Sequence, residues 1–107
     1  MIYRYDHFGV PTKKKRDGMI HHHGYKVWYS DYEKDPYRIE WIFFEATCKM
    51  HPLIQTVPHV CFLVSDIKQA VRGKKILLAP VAIDGHQMAF IEEDGVPIEF
   101  LQSLFKD

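Results

Sequence analysis

Residues 58 to 73 read Pro58-His59-Val60-Cys61-Phe62-Leu63-Val64-Ser65-Asp66-Ile67-Lys68-Gln69-Ala70-Val71-Arg72-Gly73, and the fold is decided in this stretch. His59 to Ser65 is β-branched and apolar between turn-forming residues, the composition of a strand. Asp66 follows, placed to cap a short helix through Ile67 to Arg72, because its carboxylate can accept the unpaired amide hydrogens of the first turn. Gly73 stops that helix. Downstream come three short apolar runs, Ile76 to Pro80, His86 to Glu92 and Val96 to Leu101. The turns between them carry Asp84-Gly85 and Asp94-Gly95, residues that tolerate the positive φ of tight hairpins. This half therefore reads strand, helix, strand, strand, strand.

Upstream, Ile2 to Val10 alternates and stops at Pro11, a first strand that places Tyr3, Tyr5, His7 and Gly9 on one face and Phe8 and Val10 on the other. Thr12-Lys13-Lys14-Lys15-Arg16-Asp17-Gly18 is a solvated loop or a rudimentary helix. Tyr25 to Ser30 is a strand, Asp31 to Tyr37 a polar turn, and Arg38 to Glu45 another strand, apolar on both faces toward its end and so central in a sheet. Its alternation puts Trp41, Phe43 and Glu45 on one side and Ile42 and Phe44 on the other. Ala46 to Pro58 holds two prolines and no period, as a linker would. The first half reads as a worn copy of the second: a strand with a histidine, a crossover without its helix, then strands closing on a glutamate. His7 and Glu45 are 38 positions apart, His59 and Glu99 are 40 apart, as expected of two duplicated modules.

A chain of 107 residues with 47% apolar content can bury a single core without disulfide staples. Fourteen basic and fourteen acidic residues cancel, so no whole-molecule field draws the chain to nucleic acid or an anionic membrane. Basic residues interleaved with tyrosines at Tyr3-Arg4-Tyr5 are too few to argue otherwise. Cys48 and Cys61 form no Cys-x-x-Cys pair, and Cys61 lies in an apolar strand; both read as reduced thiols in a cytoplasmic setting. The amino terminus is charged where a signal peptide needs an apolar run, and no stretch approaches the ~20 apolar residues of a membrane span. The reading is of a cytoplasmic protein, neither exported nor inserted. Motifs for serine hydrolysis, phosphate loops and dinucleotide binding are missing from the sequence.

The run from Pro58 to Asp66 with its helix, and Met88-Ala89-Phe90-Ile91-Glu92-Glu93-Asp94-Gly95-Val96-Pro97-Ile98-Glu99-Phe100-Leu101, resemble the second half-module of the vicinal-oxygen-chelate superfamily, the glyoxalase/bleomycin-resistance/dioxygenase group. Tyr5-Asp6-His7-Phe8-Gly9-Val10-Pro11-Thr12 is similar to the opening strand of its first module. The resemblance implies an α+β fold in which two βαβββ modules form a curled mixed-sheet cup, here with the first-module helix reduced or missing. Residues 1–107 form one such domain, with module one about 1–50, the linker about 46–58 and module two about 58–103. It further implies a divalent metal held by a histidine from each first strand and a glutamate from each last strand. Carried over, His7 and His59 match the histidines, Glu99 matches the second-module glutamate, and Glu45 is the best match for the first.

Two imidazoles and two carboxylates suit zinc, nickel, cobalt, iron or manganese with positions left open. The activity implied is that of a glyoxalase-like lyase or isomerase, acting on a small α-oxygenated substrate through a metal-stabilised enediolate, with Glu99 or Glu45 moving the proton. The alternative is a metal-free small-molecule binding or resistance protein on the same fold; extradiol dioxygenase activity is a further variant. Exposed sheet edges allow a homodimer.

Plainer roles compete for several residues. A lone strand histidine is commonly structural. Glu40 competes with Glu45, and strand alternation turns the two to opposite faces; Glu45 is preferred because its spacing matches the repeat. His21, His22 and His23 read as a solvated loop or edge, His86 as a surface residue, and His51 as a neighbour of the cup mouth. Trp28, Trp41, Phe43, Met88 and Phe90 are either pocket walls or core.

Overall fold

The computed structural model describes residues 1–104. Eight strands form a single sheet: β1 (Tyr3–Thr12), β2 (Ile20–His22), β3 (Val27–Tyr29), β4 (Ile39–Phe44), β5 (His59–Val64), β6 (Lys75–Ile83), β7 (His86–Glu93) and β8 (Val96–Ser103). Two short helices, α1 (Pro52–Thr56) and α2 (Ile67–Val71), and one 3-10 turn (Tyr32–Lys34) complete the described elements. The sheet is mixed, in the order β2-β3-β4-β1-β5-β8-β7-β6, and it curls into a half-barrel cup. The order reads the same way from either edge. In residues 3–44 an antiparallel meander β2-β3-β4 ends on β1, parallel to β4; in residues 59–103 an antiparallel meander β6-β7-β8 ends on β5, parallel to β8. The two first strands, β1 and β5, meet antiparallel at the centre.

Local chemistry accounts for the elements of the second half. Asp66 caps α2, accepting from the Gln69 amide at 3.1 Å, which satisfies one donor of the first turn. Gly73 ends that helix at φ +74°. Asp84-Gly85 and Asp94-Gly95 take positive φ at both turn positions (45° and 79°, 48° and 86°), the geometry whose twist suits a two-residue hairpin. Strand β6 runs past Pro80 to Ile83, and its pairing with β7 slips between Leu78 and Val81. A proline lacks the N–H a ladder needs, so it is accommodated at this irregularity of an edge strand.

The outer face of the second half is the main core. Helix α2 lays Ile67, Ala70 and Val71 on Val64, Ala89, Ile91 and Phe100. Among the described residues no helix covers the outer face of the first half; the basic loop lies there instead. Lys15 lies 4.3 Å over the Trp28 ring and Arg16 3.7 Å over Trp41, cation–π contacts that cover both indoles. Trp28 and Trp41 are thus outer-face residues, as is Phe43, which pairs with Trp28. Met88 and Phe90 do line the inner cavity.

Two expectations need correction. The segment 46–58 is not a bare linker: His51 and Pro52 start α1, which buries Ile54 against Met88 and Phe90. Five residues are too few to show a helical period. In β1, Tyr3 and Tyr5 pair with Val64 and Phe62, whereas His7 and Gly9 pair with Cys61 and His59. The register shifts at Asp6, a β-bulge, and one extra residue turns the rest of the strand over. His7 therefore shares a face with Gly9, not with the two tyrosines.

Candidate metal centre

The inner face of the sheet surrounds a cavity of about 260 Å³, to which both halves contribute. Its floor is formed where β1 and β5 meet, because their antiparallel pairing sets His7 and His59 on the same face. Glu99, on β8 beside β5, reaches both: its Oε1 lies 3.1 Å from His7 Nε2 and 3.0 Å from His59 Nε2. All three side chains are buried, at 2%, 1% and 6% relative exposure. Glu40 of β4 adds a second carboxylate on the other side, its Oε1 3.6 Å from His7 Nε2.

The register explains the pairing of ligand types. Glu99 stands opposite Cys61, two residues after His59, and Glu40 stands opposite Gly9, two residues after His7. Each half thus sets a carboxylate against the same point of its histidine strand. Glu45 is elsewhere: it lies just beyond β4, with its Oε2 2.7 Å from His21 Nε2 on the outer side, where His21 stacks on Trp28. Glu45, the expected ligand and proton carrier, does not reach the cluster; Glu40 lines the cavity in its place, because strand alternation turns Glu40, Ile42 and Phe44 inward and Glu45 away.

The shell behind these groups fixes their orientation. His7 Nδ1 lies 2.8 Å from Asp6 Oδ2, a carboxylate–imidazole pair that aims Nε2 at the floor, as in carboxylate–histidine–metal sites. The bulge is what turns Asp6 inward beside His7. Arg38 holds Asp6 through both its carbonyl and, at 3.4 Å, its carboxylate. Tyr32 stacks on the His7 ring at 4.3 Å. His59 is placed by packing instead: Phe90 meets its ring edge-on at 5.0 Å, and the absence of a side chain at Gly9 gives the ring its room. A Cβ there would stand 2.2 Å from His59 Cε1.

Electrostatics separate the two carboxylates. Burial would raise Glu99, but hydrogen bonds from His59 and His7 and their charges outweigh it and hold its pKa near about 2. Burial drives Glu40 the other way, to about 8, with the His7 charge opposing and Glu99 and Asp6 reinforcing the rise. Burial would lower His7, yet bonds to Asp6 and Glu99, with the charges of Glu99 and Glu40, raise it to about 10. For Asp6, burial again acts upward and is outweighed by bonds from His7 and Tyr32.

The donor set fits a divalent ion. Metal–ligand bonds of about 2.0–2.2 Å at angles of about 90–110° place neighbouring ligand atoms about 3.0–3.5 Å apart. The distances of 3.0 and 3.1 Å meet that range, and ligand atoms of His7, His59 and Glu99 all lie within 4.8 Å of one another; Glu40, 3.6 Å from His7 Nε2, stands just outside that group. Cys61, buried and reduced, forms a second close group with Asp6 and His7; burial first, then the charge of Glu99, pushes its thiol pKa up, which disfavours the thiolate a metal requires.

His22, Tyr25, Tyr29 and His86 also line the cavity. Of these, His22 belongs to the edge strand β2, so the histidine run is an edge as expected, with one of its rings turned inward. His86, expected at the surface, stands at the rim; His51 caps α1. Asp6, Arg38 and Tyr32 escaped the sequence reading. Only Asp6, next to a candidate ligand, carried any signal.

Fold and site together define a curled mixed-sheet protein with a buried cluster of imidazoles and carboxylates at the floor of its cup. No family model and no curated protein matches the sequence. Among solved structures the chain is similar to the crystal structure of a hypothetical protein, BH1468, from Bacillus halodurans C-125, at TM-score 0.63 and 18% identity over 98% of this chain and 97% of that one. That likeness is one of fold. No helix among the described residues is long and apolar enough to cross a membrane.

Proposed function

We propose that the chain is a cytoplasmic, metal-dependent lyase or isomerase on the vicinal-oxygen-chelate scaffold, acting on a small α-oxygenated molecule, with His7, His59, Glu99 and Glu40 holding a divalent ion. The observation that carries this reading is the convergence of a histidine from the first strand and a glutamate from the last strand of each half on one inner surface. The repeated register supports two duplicated modules, the first having exchanged its helix for the Lys15–Arg16 loop. A bound ion would supply positive charge for substrate oxygens as they become negative.

The protein's own residues divide the remaining work. Glu99, held ionised by two imidazoles, is suited to ligation. Glu40, the second carboxylate at the floor, is placed to accept and return a proton of the substrate, the work of a positioned base. Asp6 and Tyr32 keep the His7 ring in place. The walls and α1 exclude water from the floor, which strengthens every charge interaction there.

Because Glu99 already bonds Nε2 of both histidines, the atoms that would hold an ion have partners without one, and this favours the second reading, a metal-free binding protein; His59 Nδ1 is buried with no hydrogen-bond partner. Elemental analysis of untagged protein separates the two. The enzyme reading expects one divalent ion per chain, lost in a His59→Ala, Glu99→Ala variant, held at least tenfold more weakly in Glu40→Gln, and unaffected in Glu45→Gln. Metal-free parent protein that also fails to take up added zinc, nickel or manganese refutes it.

A further inference from the structure

The walls and rim of the cup add what the floor leaves open, the charge of the ligand. Among the described residues, none that lines the cavity is a lysine or arginine, while Glu40, Asp84 and Glu99 are acidic. Lys26 and Lys49 line a separate hollow beside Tyr25 and Met50, and other cations of the first half are engaged elsewhere. Lys15 and Arg16 lie on the outer indoles, and Arg38 grips Asp6 behind the Tyr32 ring. The walls above the floor are apolar, made by Ile42, Phe44, Ile54, Met88, Phe90 and Leu101.

The rim is polar without adding a cation site. His22 Nδ1 accepts from the Tyr25 amide at 3.1 Å, so its Nε2 carries a proton to donate. His86 Nδ1 lies 3.1 Å from the Asp84 carbonyl and must donate to it, which leaves Nε2 of the neutral ring as an acceptor. One donor and one acceptor at the mouth, with the Tyr29 hydroxyl, recognise hydroxyl or carbonyl groups.

We infer that the cup takes an uncharged, largely apolar molecule presenting two neighbouring oxygens to the floor, and discriminates against ligands that carry a carboxylate, phosphate or sulfonate away from those oxygens. The neighbouring oxygens rest on the metal reading above; the selectivity rests on the walls. An anionic group leaving water for such a wall finds no lysine or arginine there and meets Asp84 at the rim, and an unpaired buried charge is strongly disfavoured. At about 260 Å³, just under the about 300–1,000 Å³ of common ligand pockets, the cavity suits a single-ring or short-chain compound.

The test is calorimetric titration of the full chain with 4-methylcatechol and with 3,4-dihydroxybenzoate, which differ in exchanging a methyl for a carboxylate, in zinc-loaded and chelator-treated protein. The expected result is binding of 4-methylcatechol at least tenfold tighter than of the acid. In Ile83→Lys, a rim substitution that adds an ammonium, that ratio narrows at least threefold. Equal or tighter binding of the acid by the parent protein overturns the inference, as does failure of 4-methylcatechol to bind either form. A tenfold preference that persists in protein unable to hold zinc supports the selectivity and sinks the metal reading instead.

Discussion

Gly9 tests whether the position of His59 depends on a missing side chain. Its φ is not in the left-handed region, so glycine is there for space. In Gly9→Ala the new methyl would meet three atoms of the His59 ring at 2.2, 2.6 and 2.7 Å, all shorter than any tolerable contact. The ring is 1% exposed and pinned by Phe90, so it cannot swing into solvent. Either β1 shifts away from β5, an overpacking cost of about 1–3 kcal/mol, or the ring turns and gives up its bond to Glu99, worth about 1.5–3 kcal/mol for a charged partner. A loss of about 3 kcal/mol corresponds to a melting temperature roughly 12 °C lower for a chain of this size. Metal affinity should fall at least tenfold, because a ligand atom has moved.

Gly24→Ala is the matched control. There a Cβ would come no closer than 3.3 Å to the His22 side chain, which has room to yield, and the expected loss is under about 1 kcal/mol. Thermal melts and competition against a chromophoric chelator read both quantities. If Gly9→Ala melts within about 2 °C of the parent, roughly half the smallest expected shift, and holds metal as tightly, the packing argument for His59 is wrong.

Asp6→Asn keeps the shape of the side chain but removes the charge behind His7, and metal affinity should drop about 10–100-fold; an unchanged chelator competition would show that Asp6 does not orient the ligand. In chelator-treated protein, stability should fall as pH rises from about 6 to 9. His7 has a folded pKa of about 10 against about 6.5 unfolded, so its contribution is complete below the latter and lost on approach to the former. Glu40, raised to about 8 by burial from about 4.3 unfolded, binds its proton more tightly when folded, so ionising it lowers stability in the same direction. Glu99, depressed to about 2, acts oppositely, stabilising above about 4.3 and losing that as pH falls. Urea midpoints should therefore peak near about pH 4.3, where the opposed changes of Glu40 and Glu99 balance, and fall above it; a higher midpoint at about pH 9 than at about pH 6 contradicts the assignment. Metal affinity runs the other way, rising over the same interval as His7 gives up its proton.

The second half was legible because its signals are local. Asp66 and Gly73 mark both ends of α2, and two Asp-Gly turns fix the hairpins that bring Glu99 beside His59. In the first half the deciding signals are not local. A bulge at Asp6 leaves no trace in composition, yet it turns Tyr3 and Tyr5 away from the face of His7. The outer cover of Trp28 and Trp41 comes from a lysine and an arginine that read as plain solvated charge. The membership of Glu40 depended on knowing which of two alternating faces looks inward, and the sequence supplies alternation without saying which face is which.

The misplacement of Glu45 has a physical cause that also strengthens the site. Linear spacing selects Glu45, because its 38 positions from His7 come close to the 40 between His59 and Glu99. Equal spacing marks equivalent positions only where the elements between are equally long, and here they are not: β2 and β3 hold three residues each where β6 and β7 hold nine and eight. What survives is pairing register, since hydrogen bonding between a first and a last strand fixes which side chains share a face regardless of what the loops contain. By register, Glu40 stands to Gly9 as Glu99 stands to Cys61, and β1 and β5 cross-pair His7 with Cys61 and Gly9 with His59. Two histidines and two glutamates thereby fall on one surface by a rule of strand pairing, and that rule, unlike a count of positions, does not depend on what connects or covers the strands.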